Sequence, residues 1–254
     1  MKKLFLILIT IISVFAGEAE EYLNKGIKAV KHKDYIVAFK YFKKSCDLGN
    51  SLGCANCGVC YAKGTGVTKN NEKSIKYFKK SCHMGSKEAC KILYRFTSVI
   101  FSYIDNKNIN KLKKLLNDFN EVNVHDKHGD TPLIYAVSHG KTDLELIKYL
   151  VSHGADVNII NTLGKTPLMV AVSNGNIDMV RYLVLKGANI NVKDKLFGDT
   201  PLMVAASNGN IDMVRYLVSK GADINAKDRF GKTPLNKAKD YKFIVKYLQQ
   251  KGAK

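Results

Sequence analysis

The sequence predicts an all-α fold, a solenoid of stacked helix pairs that carries short β-hairpin fingers in its second half. Two observations predict it. Pro167 to Val184 (PLMVAVSNGNIDMVRYLV) recurs as Pro201 to Val218 with one change, Val172 against Ala206, at an offset of 34 residues. Identity at such a fixed offset marks units that each bury a face on a neighbour. Earlier, Lys40 to Cys46 (KYFKKSC) recurs as Lys76 to Cys82 at an offset of 36, so the first half is repetitive too.

At the start, Lys2 and Lys3 precede an apolar run from Leu4 whose only polar members are Thr10 and Ser13. Val14-Phe15-Ala16 offers small residues before Gly17. The order basic, apolar, small reads as a signal peptide over residues 1–16, too short for a span of about 20 apolar residues. The mature chain is expected to be soluble and exported.

Residues 17–96 form the first repeat region. Cys54 to Cys90 repeats the 36-residue offset, Leu48-Gly49 answers Met84-Gly85, and Gly64-Thr65-Gly66-Val67 makes a loop between helices. Gly26, Ala29, Tyr35, Ala38 and Tyr41 fall in the tetratricopeptide register. The region resembles the Sel-like branch of that family, and within it the cysteine-rich Sel-like proteins first known from Helicobacter. The resemblance implies that Cys46 pairs with Cys54 and Cys82 with Cys90, each stapling one repeat to the next. An even count of 6 cysteines in an exported chain also favours disulfides. Cys57 and Cys60 depart from the family pattern and stand i, i+3 on one helix face. A third disulfide, a buried thiol pair and a metal site are all open to them, although one helix does not readily present three tetrahedral ligands.

Between Gly85 and Gly129 there is no Gly or Pro. Lys87 to Ile104 is expected as one helix, joining the halves as a rigid fusion rather than through a Gly/Pro-rich linker. Ile109, Leu112, Leu115, Leu116 and Phe119 form the apolar face of the next helix.

Over residues 97–254, Thr-Pro-Leu occurs at Thr131, Thr166, Thr200 and Thr233, each with Gly two residues earlier. A Gly-Ala-Asp/Asn-Val/Ile-Asn phrase follows at Gly154, Gly187 and Gly221. This region resembles the ankyrin repeat. In each unit Pro suits the first helical turn. Leu168, Val170 and Ala171 are expected to pack inward, as are Ile177, Val180, Leu183 and Val184 on the second helix. With the Sel-like resemblance, this implies a right-handed α-solenoid whose helix pairs continue into an ankyrin stack with β-hairpin fingers. Lys242, Lys246, Gln249, Gln250 and Lys251 give the last unit the polar face of a terminal repeat.

The net charge is +19, and 39 basic against 22 acidic side chains remain without Lys2 and Lys3, or +17. The lysines are spread along helices, and no run interleaves them with aromatics for stacking bases, so nucleic acid is not an expected partner. An acidic protein or contact with an anionic membrane surface, without insertion, fits the charge. The chain is expected to be monomeric.

Little in the sequence asks for chemistry. His-Glu-x-x-His, the P-loop and the dinucleotide fingerprint are absent. His125 and His128 bracket Asp126 in a hairpin, where solvated polar residues are the expected reading, and no metal or cofactor is expected. Some cysteine-rich Sel-like proteins are described as binding penicillin derivatives and slowly hydrolysing β-lactams, which keeps an enzyme reading open. Yet the one Ser-x-x-Lys, Ser138 to Lys141, has no Ser-Asp-Asn or Lys-Thr-Gly partner.

The stronger expectation is a protein-binding scaffold, with a host-directed secreted effector as a variant of it. Ankyrin proteins bind through hairpin tips and the concave face. The candidate tips are Lys127, His128, Leu163, Lys165, Lys195, Leu196, Phe197, Arg229 and Phe230. The candidate concave positions are Ser138, His139, Asn174 and Asn208. Leu163, Phe197 and Phe230 would form an apolar row flanked by basic residues, as interaction hot spots favour, or would pack against neighbouring hairpins.

Overall fold

The computed structural model describes the backbone of residues 2–139 and 144–254, with side chains from Ala16 onward and none in 140–143. It divides into two compact units, Met1–Val99 with Asn110–Glu121, and Ile100–Ile109 with Val122–Lys254.

The first unit contains α1 (Lys2–Lys31), α2 (Tyr35–Asp47), α3 (Ser51–Lys63) and α4 (Asn71–His83). The leader expected over residues 1–16 falls in α1, and its side chains before Ala16 lie outside the described residues. Helix α5 (Lys87–Asp105) is continuous, as the absence of Gly and Pro implied, and α6 (Ile109–Phe119) follows it. Side-chain caps start three of the helices: Asp34 accepts from the Val37 N–H, Asn50 from Leu52 and Gly53, and Asn70 from Lys73. Packing is close where α3 meets α4, because a Cβ at Gly58 would stand 2.9 Å from the Phe78 ring. Buried hydroxyls repeat one bond in both repeats. Ser45 Oγ donates to Ala19 O and Ser81 Oγ to Ser51 O, each at 2.7 Å.

Among its described residues the second unit holds four helix pairs: α7 (Pro132–Ser138) with α8 (Leu144–Ser152), α9 (Pro167–Ser173) with α10 (Ile177–Leu185), α11 (Pro201–Ser207) with α12 (Ile211–Ser219), and α13 (Pro234–Lys237) with α14 (Lys242–Gln250). Thr131, Thr166, Thr200 and Thr233 cap the first helices through their hydroxyls, with Pro in the first turn. Asn176 and Asn210 cap α10 and α12. At the far end of α10, Gly187 takes a left-handed φ of 87° and donates to Val184 O, while Ala188 donates to Leu183 O. These two bonds are the Schellman motif, in which glycine avoids the Cβ clash.

The inward faces are wider than the sequence pattern indicated. Met169 and Val172 are buried beside Leu168 and Ala171, whereas Val170 is only half-buried. On α10, Met179 joins Val180 and Leu183 in the core, and Ile177 and Val184 are half-buried. The reason is that α9 packs against α7, α10 and α11 together, so a short central helix is enclosed over most of its circumference.

The fingers are corrected more substantially. Among the described residues no strand forms, so the expected β-hairpins are tight turns. A backbone bond closes the base of each, Asp126 N to Asp130 O, Asn161 N to Lys165 O, Asp194 N to Asp199 O, and Asp228 N to Lys232 O, and in the first, second and fourth the glycine N–H also donates to the carbonyl of the base residue. A strand ladder needs further backbone pairs. Here a side chain takes their place: Asp126 Oδ1 accepts from His128 and Asp130, Asn161 Oδ1 from Leu163 and Lys165, and Asp228 Oδ1 from Phe230 and Lys232. These are Asx turns, closed by side-chain acceptors instead of a partner strand.

Candidate functional site

Successive fingers are joined by single backbone bonds. Thr162 N donates to His128 O at 3.0 Å, Lys195 N to Leu163 O at 2.9 Å, and Arg229 N to Phe197 O at 2.8 Å. In the first three fingers the residue before the glycine thus has its carbonyl fixed by the next finger. That register brings His128, Leu163, Phe197 and Phe230 to equivalent positions. All four are exposed, Phe197 at 51% and Phe230 at 69% of their full surface.

The third finger is one residue longer. Asp194 Oδ1 accepts from Phe197 and Gly198, three and four residues on, where the other turns use two and four. The extra residue displays Leu196 beside Phe197, also exposed.

Charge at the tips is one-sided. Lys127, Lys195 and Arg229 are exposed and Lys165 half-buried, whereas the turn carboxylates of Asp126, Asp194 and Asp228 accept hydrogen bonds inside their own turns. Asp228 is buried. Burial alone would raise its pKa, but Lys237 and the N–H groups of Lys232 and Phe230 outweigh this and hold it below the usual carboxylate range. Lys237 stands 2.9 Å from Asp228 and 2.6 Å from Asp199, joining the last two fingers.

The helix-end candidates are arranged differently. Asn174 Nδ2 donates to Val137 O and Ser138 O of the preceding pair, and Asn208 Nδ2 to Ser173 O. Ser138 Oγ turns back to Tyr135 O, and the His139 ring stacks on Tyr135 at 4.0 Å. These residues are exposed, but their polar groups are engaged in closing helix ends and tying one repeat to the next.

Cys46–Cys54 and Cys82–Cys90 are disulfides, with Cα–Cα distances of 4.5 and 4.8 Å. Cys57 and Cys60 are unbonded and buried. Burial, with Cys60 and Asp47 nearby, pushes the Cys57 thiol up to about 12, and burial raises Cys60 as well. Both are protonated at neutral pH, and a protonated thiol is a poor nucleophile and metal ligand. Among the described residues no three or more His, Cys, Asp or Glu side chains converge as a metal site.

Two strings look like hydrolase motifs. Of Ser138 to Lys141, the Gly140-Lys141 half lies outside the described residues. The pattern Gly49-Asn50-Ser51-Leu52-Gly53 also fits the spacing of a nucleophile elbow, which corrects the expectation that the sequence holds no Gly-x-Ser-x-Gly. An elbow needs a strand leading into a helix, and here the string joins α2 to α3, with Asn50 capping α3 and Ser51 O accepting from Ser81.

Sequence comparisons agree with this architecture. A model of ankyrin repeats matches residues 99–194 and 185–254, and the Sel1 repeat model matches residues 16–50 and 51–86. Among curated relatives from Helicobacter pylori, HcpC is 45% identical over 56 residues, covering 22% of this chain and 19% of the relative. The protein named beta-lactamase HcpA is 38% identical over 58 residues, 23% of each chain, and HcpD is 38% identical over 76 residues, 28% of this chain and 25% of the relative. HcpC and HcpD are named as candidate beta-lactamases. The matches span about a quarter or less of these relatives.

Proposed function

Because the chain belongs to the ankyrin-repeat family, we propose that it is an exported protein–protein interaction scaffold whose partner docks on the row of finger tips. The observation that carries this reading is the exposure of Leu163, Leu196, Phe197 and Phe230 on turns pinned in register by backbone bonds. Apolar and aromatic side chains exposed over 42–69% of their surface, beside Lys127, Lys195 and Arg229, supply the anchors and the charge of a hot spot. The matching partner is a protein surface with apolar pockets and acidic flanks, bound by a monomer of this chain. The disulfides favour an oxidising compartment, the periplasm or the exterior. Delivery to a host is a variant of the same reading.

The test is an affinity capture from a periplasmic extract with the oxidised chain, repeated with the Phe197→Ala/Phe230→Ala double variant. A protein kept by the wild type and lost by the variant supports the tip site. Equal retention by both would reject it. A chromogenic β-lactam, turned over by wild type and variant alike with no protein captured, would move the function to hydrolysis.

A further inference from the structure

We propose that a different face of the second unit, the outward side of α10, α12 and α14, docks on the surface of an anionic lipid bilayer. The first pointer is a pair of apolar side chains with no packing role. Leu185 is 79% exposed and Phe243 84%, the highest values for large hydrophobic residues among the described residues. Both replace polar residues of the repeat register. Ser152 and Ser219 stand at the position of Leu185, and Glu145, Asp178 and Asp212 at that of Phe243. Leu185 lies two turns beyond Asp178 on α10, so the two positions share the outward line of their helices.

The second pointer is the charge around them. Stacking sets aromatic rings and cations side by side in a way the linear sequence does not show. Arg181 lies over the ring of Tyr216 and Arg215 over that of Tyr247, both at 5.7 Å from one repeat to the next. Lys186, Lys220 and Lys251 lie over Tyr182, Tyr216 and Tyr247 within their own repeats. These five cations are exposed, held over aromatic faces with their charge available to an anion. Asp178 and Asp212 are the acids on this face, and α14 has none.

Cations alone fit any polyanion. The apolar pair decides for a bilayer over a soluble polyanion, which offers anionic groups but no apolar layer for Leu185 and Phe243. Among the described residues no helix is long and apolar enough to cross a membrane, which matches adsorption.

The experiment is flotation of the full oxidised chain with vesicles of phosphatidylglycerol and phosphatidylcholine, against pure phosphatidylcholine, with heparin as a soluble polyanion. The expected result is binding to the anionic vesicles alone, abolished at about 0.5 M salt, where screening acts within a few ångströms. Leu185→Ser/Phe243→Ser is expected to weaken partitioning at least about tenfold, from the loss of two inserted apolar groups. It should leave the melting temperature unchanged, since other repeats carry polar residues there, and a lowered melting temperature would give both side chains a packing role and overturn the proposal. Arg181→Gln/Arg215→Gln is expected to weaken partitioning as well. Equal binding to neutral vesicles, or no binding to either, would overturn the proposal. So would heparin binding combined with undiminished partitioning of the serine variant, which would mean the face reads charge alone. The Phe197→Ala/Phe230→Ala variant should partition as the wild type does, which separates this face from the finger tips.

Discussion

The two halves solve one problem by different means. Each must end a second helix, turn the chain, and fix the following repeat. Both end the helix alike, with glycine in a Schellman motif: Gly49 N to Cys46 O and Asn50 N to Ser45 O in the first, Gly187 N to Val184 O and Ala188 N to Leu183 O in the second. After that they diverge. In the first half Asn50 begins the next helix at once, and the Cys46–Cys54 disulfide closes the turn covalently. The second half inserts a finger and binds it with an asparagine ladder. Asn123, Asn158, Asn191 and Asn225 each give an amide hydrogen to the carbonyl of the next unit's Gly154, Gly187, Gly221 or Gly252. Each accepts a backbone N–H in return, from Asp156, Asn189, Asp223 or Lys254.

The contrast teaches where a repeat protein gains freedom to evolve a surface. A direct helix-to-helix turn offers few residues for a projecting surface. A finger closed at its base by backbone bonds and an Asx side chain leaves its tip side chains exposed, and the tips are where Leu163, Leu196, Phe197 and Phe230 appear.

The largest effect should come from breaking a staple. Cys46→Ser/Cys54→Ser is expected to cost about 2–3 kcal/mol, as for closing a short loop. Hydrogen exchange should localise the lost protection to α2, α3 and α4, and a loss spread evenly over α9 to α12 would erase the distinction between the halves. Asn191→Ala removes both ladder bonds to one neighbour and is expected to cost about 1–2 kcal/mol in urea denaturation. No change there would show that stacking of the helices alone fixes the repeats.

Acid should act on the second half through Asp228. Its folded pKa is depressed, so its contribution is complete above the unfolded value of about 3.9 and is lost as pH falls through the folded one. Asp228→Asn keeps the turn acceptor, as Asn161 does in the second finger, and should flatten the fall in stability below about pH 4. A variant with the wild-type acid limb would place the titrating group elsewhere. The smallest effect belongs to the tips, where Phe197→Ala and Phe230→Ala should each change stability by less than about 0.5 kcal/mol.

Much of this was legible in the sequence. The repeated strings located every helix pair of the second half, and family resemblance paired the cysteines. The fingers misread as hairpins because a turn and a short strand pair share Gly and polar residues. What separates them is the Asx residue at the base of each turn, whose oxygen replaces the strand carbonyls. The longer third finger was present as the distance from the base residue to the finger glycine, four positions from Asp194 to Gly198 against three from Asp126 to Gly129, Asn161 to Gly164 and Asp228 to Gly231. Asn174 and Asn208 looked free because a side chain at a helix end is exposed whether or not it binds the neighbouring helix. The contacts of Arg181 with Tyr216 and Arg215 with Tyr247 join residues more than thirty positions apart, so no local run of the sequence interleaves them.

Photo-crosslinking from the finger tips tests the central claim most directly. A photoreactive phenylalanine analogue at position 197 of the oxidised chain, with matched probes at 174 and 208, would be irradiated in the presence of periplasmic extract. A discrete adduct from position 197, competed by unlabelled wild-type chain and absent from 174 and 208, is the expected result. Adducts from 174 and 208 without one from 197 would place the partner on the helix ends and contradict it.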